Sequence, residues 1–340
     1  MINLKDLTFE ELENFIKDEG EPAFRAKQIF AWLYRGVKSL SEMTNIPKSL
    51  AAKLEGKATV SAPSIRAKYL SKDGTVKYVW ELSDGELIES VVMEYKHGRS
   101  ICISTQVGCN MGCKFCASTV GGKKRDLTPG EIIDQIIFAQ ADLDIRISNV
   151  VMMGIGEPLD NYDNVIKFLK NVGHPEGLGI GYRHISLSTC GLADKIIKLA
   201  EEKMPVTLSL SLHAPTDELR ESIMPINKKY NIARVIDTCR EYINKTGRRI
   251  SFEYTLIHGV NDSSAHANKL ADLVKGMQCH INLIPVNEAR ENMVRSSKKS
   301  VMKFMDTLLA RGVNTTVRRQ LGNDIKASCG QLRAKESERK

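Results

Sequence analysis

Residues 107–117 read Val107-Gly108-Cys109-Asn110-Met111-Gly112-Cys113-Lys114-Phe115-Cys116-Ala117, a short segment with three cysteines in a C-x3-C-x2-C pattern. Thiolates with this spacing can bind three irons of a 4Fe–4S cluster from one loop. No fourth cysteine follows nearby in the sequence, so one iron would keep open coordination positions. The pattern therefore predicts a cluster that binds and acts on another molecule, rather than one that only transfers electrons.

An iron with open positions suits a radical enzyme that uses S-adenosylmethionine (SAM), because the amino and carboxylate groups of SAM can chelate that iron. The alternative is a zinc site in which Cys102 is the fourth ligand. Structural zinc sites usually pair short cysteine hooks and fill all four positions, and the unequal spacing here fits that pattern poorly. We therefore predict that Cys109, Cys113 and Cys116 are ligands of a 4Fe–4S cluster.

Strands and helices alternate from Ser100 onward. Apolar runs predict strands at Ile101–Ser104, Val150–Met153, Ile185–Ser188, Val206–Leu210, Phe252–Ile257 and Ile281–Ile284. Helical periodicity follows in segments that include Thr128–Leu143, Leu192–Glu202, Ile232–Asn244 and Ala265–Lys275. These units predict an α/β fold with a partial (β/α)6 barrel over residues 99–322, with functional residues at the carboxyl ends of the strands.

Three shorter regions flank the predicted barrel. Residues 1–60 are predicted to be helical, with a capping box at Thr8-Phe9-Glu10-Glu11, a helix from about Pro22 to Arg35 and another after Pro47. Residues 61–98 alternate apolar and polar side chains between the turns Asp73-Gly74 and Asp84-Gly85, which predicts a small antiparallel sheet as a linker. Residues 323–340 form a C-terminal segment whose charged tail, 333–340, is expected to be disordered.

The composition is that of an ordinary globular protein, with 42% hydrophobic and 26% charged residues among 340. No apolar run has membrane-spanning length and the chain does not begin with a signal peptide, so a cytoplasmic protein without membrane association is expected. Its eight cysteines are then expected to be thiols or ligands rather than disulfides.

The formal net charge of +8 is compatible with a polyanionic partner, although a solvated lysine-rich surface explains it equally well. The helical region is a candidate arm for a nucleic-acid backbone through its basic residues Arg25, Lys27, Arg35, Lys38, Lys48, Lys53 and Lys57.

Four polar motifs follow predicted strands and should meet at one rim: Gly154-Ile155-Gly156-Glu157-Pro158, Ser188-Thr189-Cys190-Gly191, Ser211-Leu212-His213 and Asn287. The glycines allow the backbone to approach a ligand closely, and Glu157 can accept a hydrogen bond from an ammonium group. Short polar residues at strand ends can orient a ligand, although each of them alone is more often structural. Together they predict a SAM site beside the cysteine loop.

The chain resembles the RlmN/Cfr family of radical SAM RNA methyltransferases almost from end to end. The motifs that carry the resemblance are Cys102–Gln106, Cys109–Cys116, Gly154–Leu159, Ser188–Gly191, Ser211–Pro215, Met224–Asn227, Asn282–Asn287 and Cys329–Leu332. One branch of this family methylates C2 of adenine and the other methylates C8. Pro158 after Glu157 and Ala214 after His213 resemble the C2 branch, whereas the C8 branch tends to carry alanine and serine at these places.

The resemblance implies a 4Fe–4S cluster on the three cysteines and a methyltransferase for C2 of an adenosine in 23S ribosomal RNA. It extends this activity to the adenosine 3′ of the anticodon in some transfer RNAs. It also implies SAM contacts at Gly156, Glu157, Ser188, Ser211, Leu212, His213 and Asn287.

The resemblance further implies catalytic roles for Cys329, Cys102 and Glu89. Adenine C2 is an electron-poor carbon without a usable lone pair, so it cannot attack the methyl group of SAM directly. Cys329 would first take a methyl group from one SAM, and a radical derived from a second SAM would remove hydrogen from it, so that the carbon adds to C2. Cys102 would resolve this adduct by thiol–disulfide exchange, and Glu89 would accept the C2 proton.

Residue type alone gives plainer interpretations, in which Cys329 is an exposed thiol, Cys102 a buried small hydrophobe and Glu89 a partner for a lysine. Three positions depart from the family pattern: Lys326, Ser328 and Cys190. Lys326 could favour the Cys329 thiolate or contact an RNA phosphate, and we assign no role to Cys190.

The expected substrate is RNA with an extruded adenine, because the target atom must leave its stack to reach a buried radical. Further phosphate contacts are expected from Arg248, Arg249, Arg318 and Arg319. A flavodoxin- or ferredoxin-type electron donor and a monomeric state are expected from the resemblance. The alternatives are a C8 adenosine methyltransferase and a non-catalytic iron–sulfur protein that binds RNA.

Overall fold

The structure is a computed structural model and describes residues 1–96, 98–287 and 293–332, so the predicted tail 333–340 lies outside it. The helices are α1 (Phe9–Asp18), α2 (Phe24–Leu33), α3 (Lys48–Glu55), α4 (Pro129–Leu143), α5 (Tyr162–Val172), α6 (Ala193–Glu201), α7 (Asp217–Ile223), α8 (Ile232–Thr246), α9 (Ser264–Leu273) and α10 (Lys298–Ala310). The strands are β1 (Ile2–Asn3), β2 (Ala58–Thr59), β3 (Ser64–Leu70), β4 (Val76–Glu81), β5 (Leu87–Tyr95), β6 (Gly98–Cys102), β7 (Gln106–Gly108), β8 (Lys123–Asp126), β9 (Asn149–Met152), β10 (Ile185–Thr189), β11 (Thr207–Ser211), β12 (Ile250–Leu256), β13 (Cys279–Pro285) and β14 (Thr315–Val317).

One mixed sheet organises the molecule, with the strand order β14-β13-β12-β11-β10-β9-β6-β5-β4-β3. Strands β6 and β9 to β14 pair in parallel, and helices connect them as an α/β fold requires. The six predicted strands are all present, and β14 is a seventh parallel strand that the sequence did not predict. The α/β fold class and its parallel barrel strands are thereby confirmed.

The predicted linker hairpins are also present, but they are continuous with the main sheet. Strand β5 pairs antiparallel with β6, with Val91 opposite Cys102. Strand β6 ends at Cys102, earlier than the predicted Ser104, because the Ser104 N–H bonds instead to Gln135 Oε1 on α4. The antiparallel strands β3 to β5 therefore extend the wall of the parallel region.

Alternation within the parallel strands places polar groups on the inner face of the sheet. In β12 the apolar residues Phe252, Tyr254 and Leu256 are fully buried, and they alternate with Ser251 and Glu253. Strands β10 and β11 show the same alternation of leucine or isoleucine with serine. Because side chains in a strand point alternately to opposite faces, this pattern gives the sheet an apolar outer face for helices and a polar interior.

The amino-terminal helices pack against α4 and α5. The predicted capping box is confirmed, since Thr8 Oγ1 accepts from the Glu11 N–H and Glu11 Oε2 accepts from the Thr8 N–H. A buried ion pair of 2.5 Å joins Lys5 Nζ to Asp134 Oδ1 on α4. Over the ranges that the structure covers, no helix combines the length and apolar character needed to cross a membrane.

Candidate active site

The main cavity opens at the carboxyl ends of the parallel strands and has a volume of about 920 Å³, including its mouth. Of the residues predicted to bind cluster or SAM, all except Leu212 line this cavity: Cys109, Cys113, Cys116, Gly156, Glu157, Ser188, Ser211, His213 and Asn287. The strand-end motifs therefore meet where the fold predicts they should.

The cysteine loop is carried by a two-stranded hairpin, β7 and β8, that the sequence did not predict. At Gly108 (φ +76°) a Cβ atom would lie 1.9 Å from the carbonyl oxygen of Gly122, so the two strands can approach only through glycine. The Cys109 N–H donates to that same carbonyl at 3.1 Å. The Lys114 N–H donates to Ile223 O at 2.9 Å, which fixes the far side of the loop.

The cysteines of the loop have the chemistry that an iron–sulfur cluster requires. Cys109 and Cys113 are buried, and burial raises the pKa of both thiols, to about 12 for Cys109. Bound iron would replace the thiol protons and supply the positive charge that buried thiolates need.

Cys102, the fourth ligand of the zinc alternative, does not line the cavity that holds the other cysteines. The three loop cysteines therefore fit a cluster with three protein ligands better than a closed zinc site.

The Gly154–Glu157 segment leaves no room for larger side chains. A Cβ atom on Gly154 would lie 2.5 Å from Ile103 O, and one on Gly156 (φ +109°) would lie 2.7 Å from Gln106 Cβ. Glu157 Oε2 accepts from the Cys190 N–H at 2.8 Å, and Oε1 accepts from the Leu159 N–H at 3.1 Å. Burial raises the pKa of Glu157, while these backbone donors stabilise its charged form.

His213 is held as a neutral imidazole at the cavity wall. Its Nδ1 accepts from the Thr255 N–H at 2.9 Å, which leaves Nε2 as the protonated nitrogen. Burial, with the positive charge of Arg220, lowers its pKa to about 3. The Phe115 ring packs edge-on against the imidazole, with 4.7 Å between the ring centroids. The cysteine loop therefore contacts the cavity wall that His213 forms.

The remaining predicted SAM contacts differ in their surroundings. Ser188 and Ser211 are half-buried and face the cavity. Leu212 is buried outside the lining, where its N–H donates to Glu253 O and its carbonyl accepts from Arg220. Asn287 also holds the C-terminal segment, because its Nδ2 donates to Cys329 O at 2.9 Å.

Arg220 is a site residue that sequence reasoning missed. Its side chain is fully buried and donates to the carbonyl oxygens of Cys190, Ser211, Leu212 and Tyr230 and to Asn227 Oδ1. These bonds tie the ends of β10 and β11 to the loop that supports the cysteines. The available signal was the Met224–Asn227 motif, which lies beside Arg220 in the sequence.

Cys102 and Cys329 meet at a second cavity, on the β5–β6 side of the first. Cys329 lines both cavities, as do Asn287 and Arg318. Burial raises the pKa of Cys102 to about 12, with further contributions from Cys329, which raises it, and Arg318, which lowers it. Both predicted thiols therefore line the second cavity, and Cys329 also lines the first.

Glu89 is buried on β5 and does not line either cavity. Its Oε1 lies 3.2 Å from Lys77 Nζ on β4, and its backbone carbonyl accepts from Ser104 Oγ at 2.6 Å. The lysine partner that residue type suggested is thus present, but on a buried face of the sheet rather than in solvent.

The structure accommodates the three residues that depart from the family pattern. Ser328 is buried and its Oγ donates to Leu321 O at 2.8 Å, while Lys326 adopts a left-handed backbone conformation (φ +52°). Cys190 is buried beside Glu157, and burial raises the pKa of its thiol well above the usual value.

Hydrogen bonds on both sides of Cys329 hold the C-terminal segment in place. Asp324 accepts from Ser71 Oγ (2.5 Å) and from the Lys72 N–H (3.2 Å), at the turn between β3 and β4. The Ala117 N–H donates to Gly330 O at 2.8 Å, directly after the last loop cysteine. Cys329 is thereby held between the hairpin sheet and the cysteine loop.

The chain is similar to known proteins over most of its length. A family model described as the Radical SAM superfamily matches residues 103–271, and one described as the ribosomal RNA large subunit methyltransferase N-terminal domain matches residues 2–60. Two relatives carry the name "Probable dual-specificity RNA methyltransferase RlmN". That of Clostridium botulinum (strain Alaska E43 / Type E3) is 55% identical over 98% of this chain and 96% of its own, and that of Clostridium novyi (strain NT) is 54% identical over 98% of both.

A solved structure is similar over its whole length. The crystal structure of a radical SAM methyltransferase from Sphaerobacter thermophilus superposes with a TM-score of 0.94 at 42% identity, covering 98% of this chain and 100% of that one. The cysteine loop, the strand-end motifs and the amino-terminal helices all fall within these matches. The chain belongs to the RlmN family of radical SAM RNA methyltransferases.

Proposed function

We propose that this chain methylates C2 of an adenosine in 23S ribosomal RNA and C2 of the adenosine 3′ of the anticodon in transfer RNA. We propose further that the methyl group is carried on Cys329. The observation that carries this proposal is the position of Cys329, which lines both the cavity of the loop cysteines and the cavity of Cys102. A carrier thiol must reach a methyl donor on one side and a resolving thiol on the other.

The family implies a 4Fe–4S cluster and SAM, which supply a methyl donor and a carbon radical when bound. Cys109, Cys113 and Cys116 are the proposed cluster ligands. Glu157 and the Gly154–Gly156 backbone are proposed to bind the polar end of SAM, and neutral His213 to donate from Nε2. Half-buried apolar neighbours such as Phe115 help to exclude water, which protects a radical from side reactions.

Cys102 is the proposed resolving thiol and Glu89 the proposed proton acceptor. A thiol attacks a sulfur as its thiolate, and the neighbouring Arg318 favours that form at Cys102. Glu89 lies on the same strand as Val91, which lines the cavity of Cys102. Because Glu89 does not line either cavity, this role requires a path for the proton, and Lys77 Nζ lies 3.2 Å from Glu89 Oε1.

Anaerobic reconstitution with iron, sulfide, a reductant of the flavodoxin or ferredoxin type and methyl-labelled SAM tests the proposal. Mass spectrometry should find label first on the peptide that contains Cys329 and then on C2 of adenine in 23S ribosomal RNA and transfer RNA. Label on C8 would identify the other branch of the family instead. Cluster and RNA binding without deoxyadenosine release would identify a non-catalytic protein.

The Cys102→Ala variant tests the resolving step separately. This variant should accumulate a covalent adduct between protein and RNA, because the bond to Cys329 can no longer be exchanged. Cys239→Ala is a matched control, since Cys239 is buried on α8 and lines neither cavity. Turnover without adduct in the Cys102→Ala protein would exclude Cys102 from resolution.

A further inference from the structure

Gln106 lies between the hairpin of the cysteine loop and the Gly154–Glu157 segment, and its side chain bonds to both. Resting on the SAM site proposed above, we propose that Gln106 is the positioning residue that fixes Glu157 relative to the cysteine loop, and that SAM binding depends on this fixed arrangement. The Cys102–Gln106 motif marks the residue in the sequence, but no role follows from the motif itself.

The amide of Gln106 is fully buried and has partners at both of its ends. Its Oε1 accepts from the Glu157 N–H at 2.8 Å. Its Nε2 donates to Asp126 Oδ1 at 2.8 Å and to Asp160 Oδ2 at 2.9 Å. A backbone N–H needs an acceptor and ionised carboxylates need donors, so neither a carboxylate nor an apolar side chain could make all three bonds.

The two aspartates belong to different sides of the site. Asp126 lies on β8, directly opposite Gln106 on β7, in the hairpin that carries the cysteine loop. Asp160 follows the Gly154–Glu157 segment, and its N–H donates to Glu157 O at 3.0 Å. The bonds of the Gln106 amide therefore connect the hairpin both to Glu157 and to the turn that follows it.

Lys123 bridges the two aspartates and keeps Asp160 in its charged form. Its Nζ lies 2.7 Å from Asp160 Oδ2 and 3.2 Å from Asp126 Oδ1. Burial alone would raise the pKa of Asp160, but the hydrogen bonds from Lys123 and Gln106 outweigh this effect and lower it. A charged carboxylate is a stronger acceptor than a neutral one, so Asp160 holds the Gln106 amide in one orientation.

Close packing limits any shift of the Glu157 segment relative to Gln106. A Cβ atom on Gly156 would lie 2.7 Å from Gln106 Cβ, and the Gln106 N–H donates to Ile155 O at 3.2 Å. Backbone and side chain of Gln106 thus hold the same segment. Glu157 lines the main cavity together with the loop cysteines, whereas Gln106 lines neither cavity. Gln106 can therefore act on SAM only through Glu157, which is a positioning role.

SAM binding by the anaerobically reconstituted protein tests the inference without RNA. Gln106→Met keeps a side chain of similar length but can neither accept from the Glu157 N–H nor donate to the aspartates. The iron bound per chain should stay unchanged, because the Cys109 N–H bond to Gly122 O remains. The dissociation constant of SAM should rise by about tenfold, the change that about 1.4 kcal/mol produces.

Equilibrium dialysis with labelled SAM measures this constant, and the change that SAM causes in the EPR spectrum of the reduced cluster should need correspondingly more SAM. Gln140→Met is the matched control. Gln140 Oε1 also accepts from a backbone N–H at 2.8 Å, that of Ile147, and Gln140 lines neither cavity. This control should leave SAM affinity and the EPR response unchanged.

Unchanged SAM affinity in Gln106→Met would overturn the inference. A parallel loss of iron and of SAM binding would overturn it as well, because support of the hairpin alone gives that result. Gln106→Asn covers the case in which Gln106→Met does not fold. Its amide is one methylene shorter and cannot span Glu157 and the aspartates together, so it should bind iron fully and SAM less tightly.

A folded Gln106→Asn protein with unchanged SAM affinity would equally contradict the positioning role. The proposed function is tested separately, by RNA methylation. Protein that shows the expected differences in SAM affinity but does not methylate RNA would defeat the proposed function and support the role of Gln106.

Discussion

His213 combines three constraints in one residue. Its backbone is left-handed (φ +58°), its Nδ1 accepts from the Thr255 N–H, and its carbonyl accepts from Asn261 Nδ2 at 2.8 Å. A non-glycine residue in this conformation costs free energy unless its surroundings fix it. Here the two hydrogen bonds fix both the backbone and the tautomer, so His213 lines the cavity with its proton on Nε2.

The neutral state of His213 predicts a pH dependence of stability. Its folded-state pKa of about 3 lies below the usual 6.5, so in acid the unfolded chain binds a proton that the folded chain excludes. The stabilisation that neutral His213 contributes is complete above the pKa of the imidazole in the unfolded chain. It is lost, by about 1.4 kcal/mol per pH unit, as the pH falls toward the pKa of the imidazole in the folded protein. Urea unfolding at several pH values should therefore give a shallower pH dependence for His213→Asn than for the unsubstituted protein. Parallel curves would contradict this.

At the scale of elements, the β7–β8 hairpin depends on Gly108. An alanine there would place its Cβ against Gly122 O, so the strands that hold the cysteine loop would have to separate. Gly108→Ala should lower the free energy of unfolding by more than the ~1–2 kcal/mol that a left-handed backbone costs alanine. It should also reduce the iron bound per chain after reconstitution, which colorimetric iron analysis measures.

Gly121→Ala is the control for Gly108→Ala, because it introduces backbone strain without a steric clash. Gly121 also has a positive φ (+98°), but a Cβ there would meet no atom within 4 Å. This variant should lose only the backbone contribution and should bind iron normally. If both variants bind the same amount of iron, the close approach at Gly108 does not shape the cysteine loop.

Local sequence signals predicted some of the strands and helix ends and missed others. Six of the parallel strands were predictable because their apolar runs are local signals, and the Thr8 capping box was predictable because its two bonds span three residues. Strand β14 was missed because it has three residues, two of them exposed. The β7–β8 pairing was missed because it joins distant short segments that carry no alternation.

The same limit applies to the candidate site. Residues that belong to a sequence motif, such as Glu157, were predicted as site residues from that motif. Arg220 and Arg318 were not, because a lone arginine is usually solvated and only tertiary packing turns it inward. Leu212 was predicted as a SAM contact from the family resemblance, whereas its side chain is buried and does not line the cavity.

At the scale of the whole molecule, the Lys5–Asp134 pair joins the amino-terminal helices to the α/β body. Both side chains are almost fully buried, and Lys5 Nζ also donates to Ser61 O at 2.6 Å. Burial raises the pKa of Asp134, and the adjacent Lys5 ammonium opposes that rise by stabilising the charged carboxylate. Asp134→Asn would leave a buried ammonium without its counter-charge and should lower the free energy of unfolding by about 3–5 kcal/mol.

Two comparisons make this prediction specific. The double substitution Lys5→Met and Asp134→Leu removes both charges and should recover most of the lost stability, because an apolar pair needs no counter-charge. Lys27→Ala breaks an exposed pair with Glu176 at the same interface and should change stability by less than about 1 kcal/mol. Urea unfolding measures all three, and an Asp134→Asn protein as stable as Lys27→Ala would refute the role of the buried pair.

The net charge of +8 predicts how RNA binding responds to salt. Basic side chains that contact phosphates release counterions, so affinity for a substrate hairpin should fall steeply as salt rises, with a slope set by the number of contacts. Arg35, Lys38 and Lys48 are exposed on the amino-terminal helical region, whereas Lys27, Lys53 and Lys57 pair with Glu176 or Glu19. Replacing the first three with glutamine should reduce the logarithmic slope by about two. Replacing the paired three should reduce it less, because their charges are already compensated. An unchanged slope after the first replacement would mean that the helical region does not engage RNA through Arg35, Lys38 and Lys48.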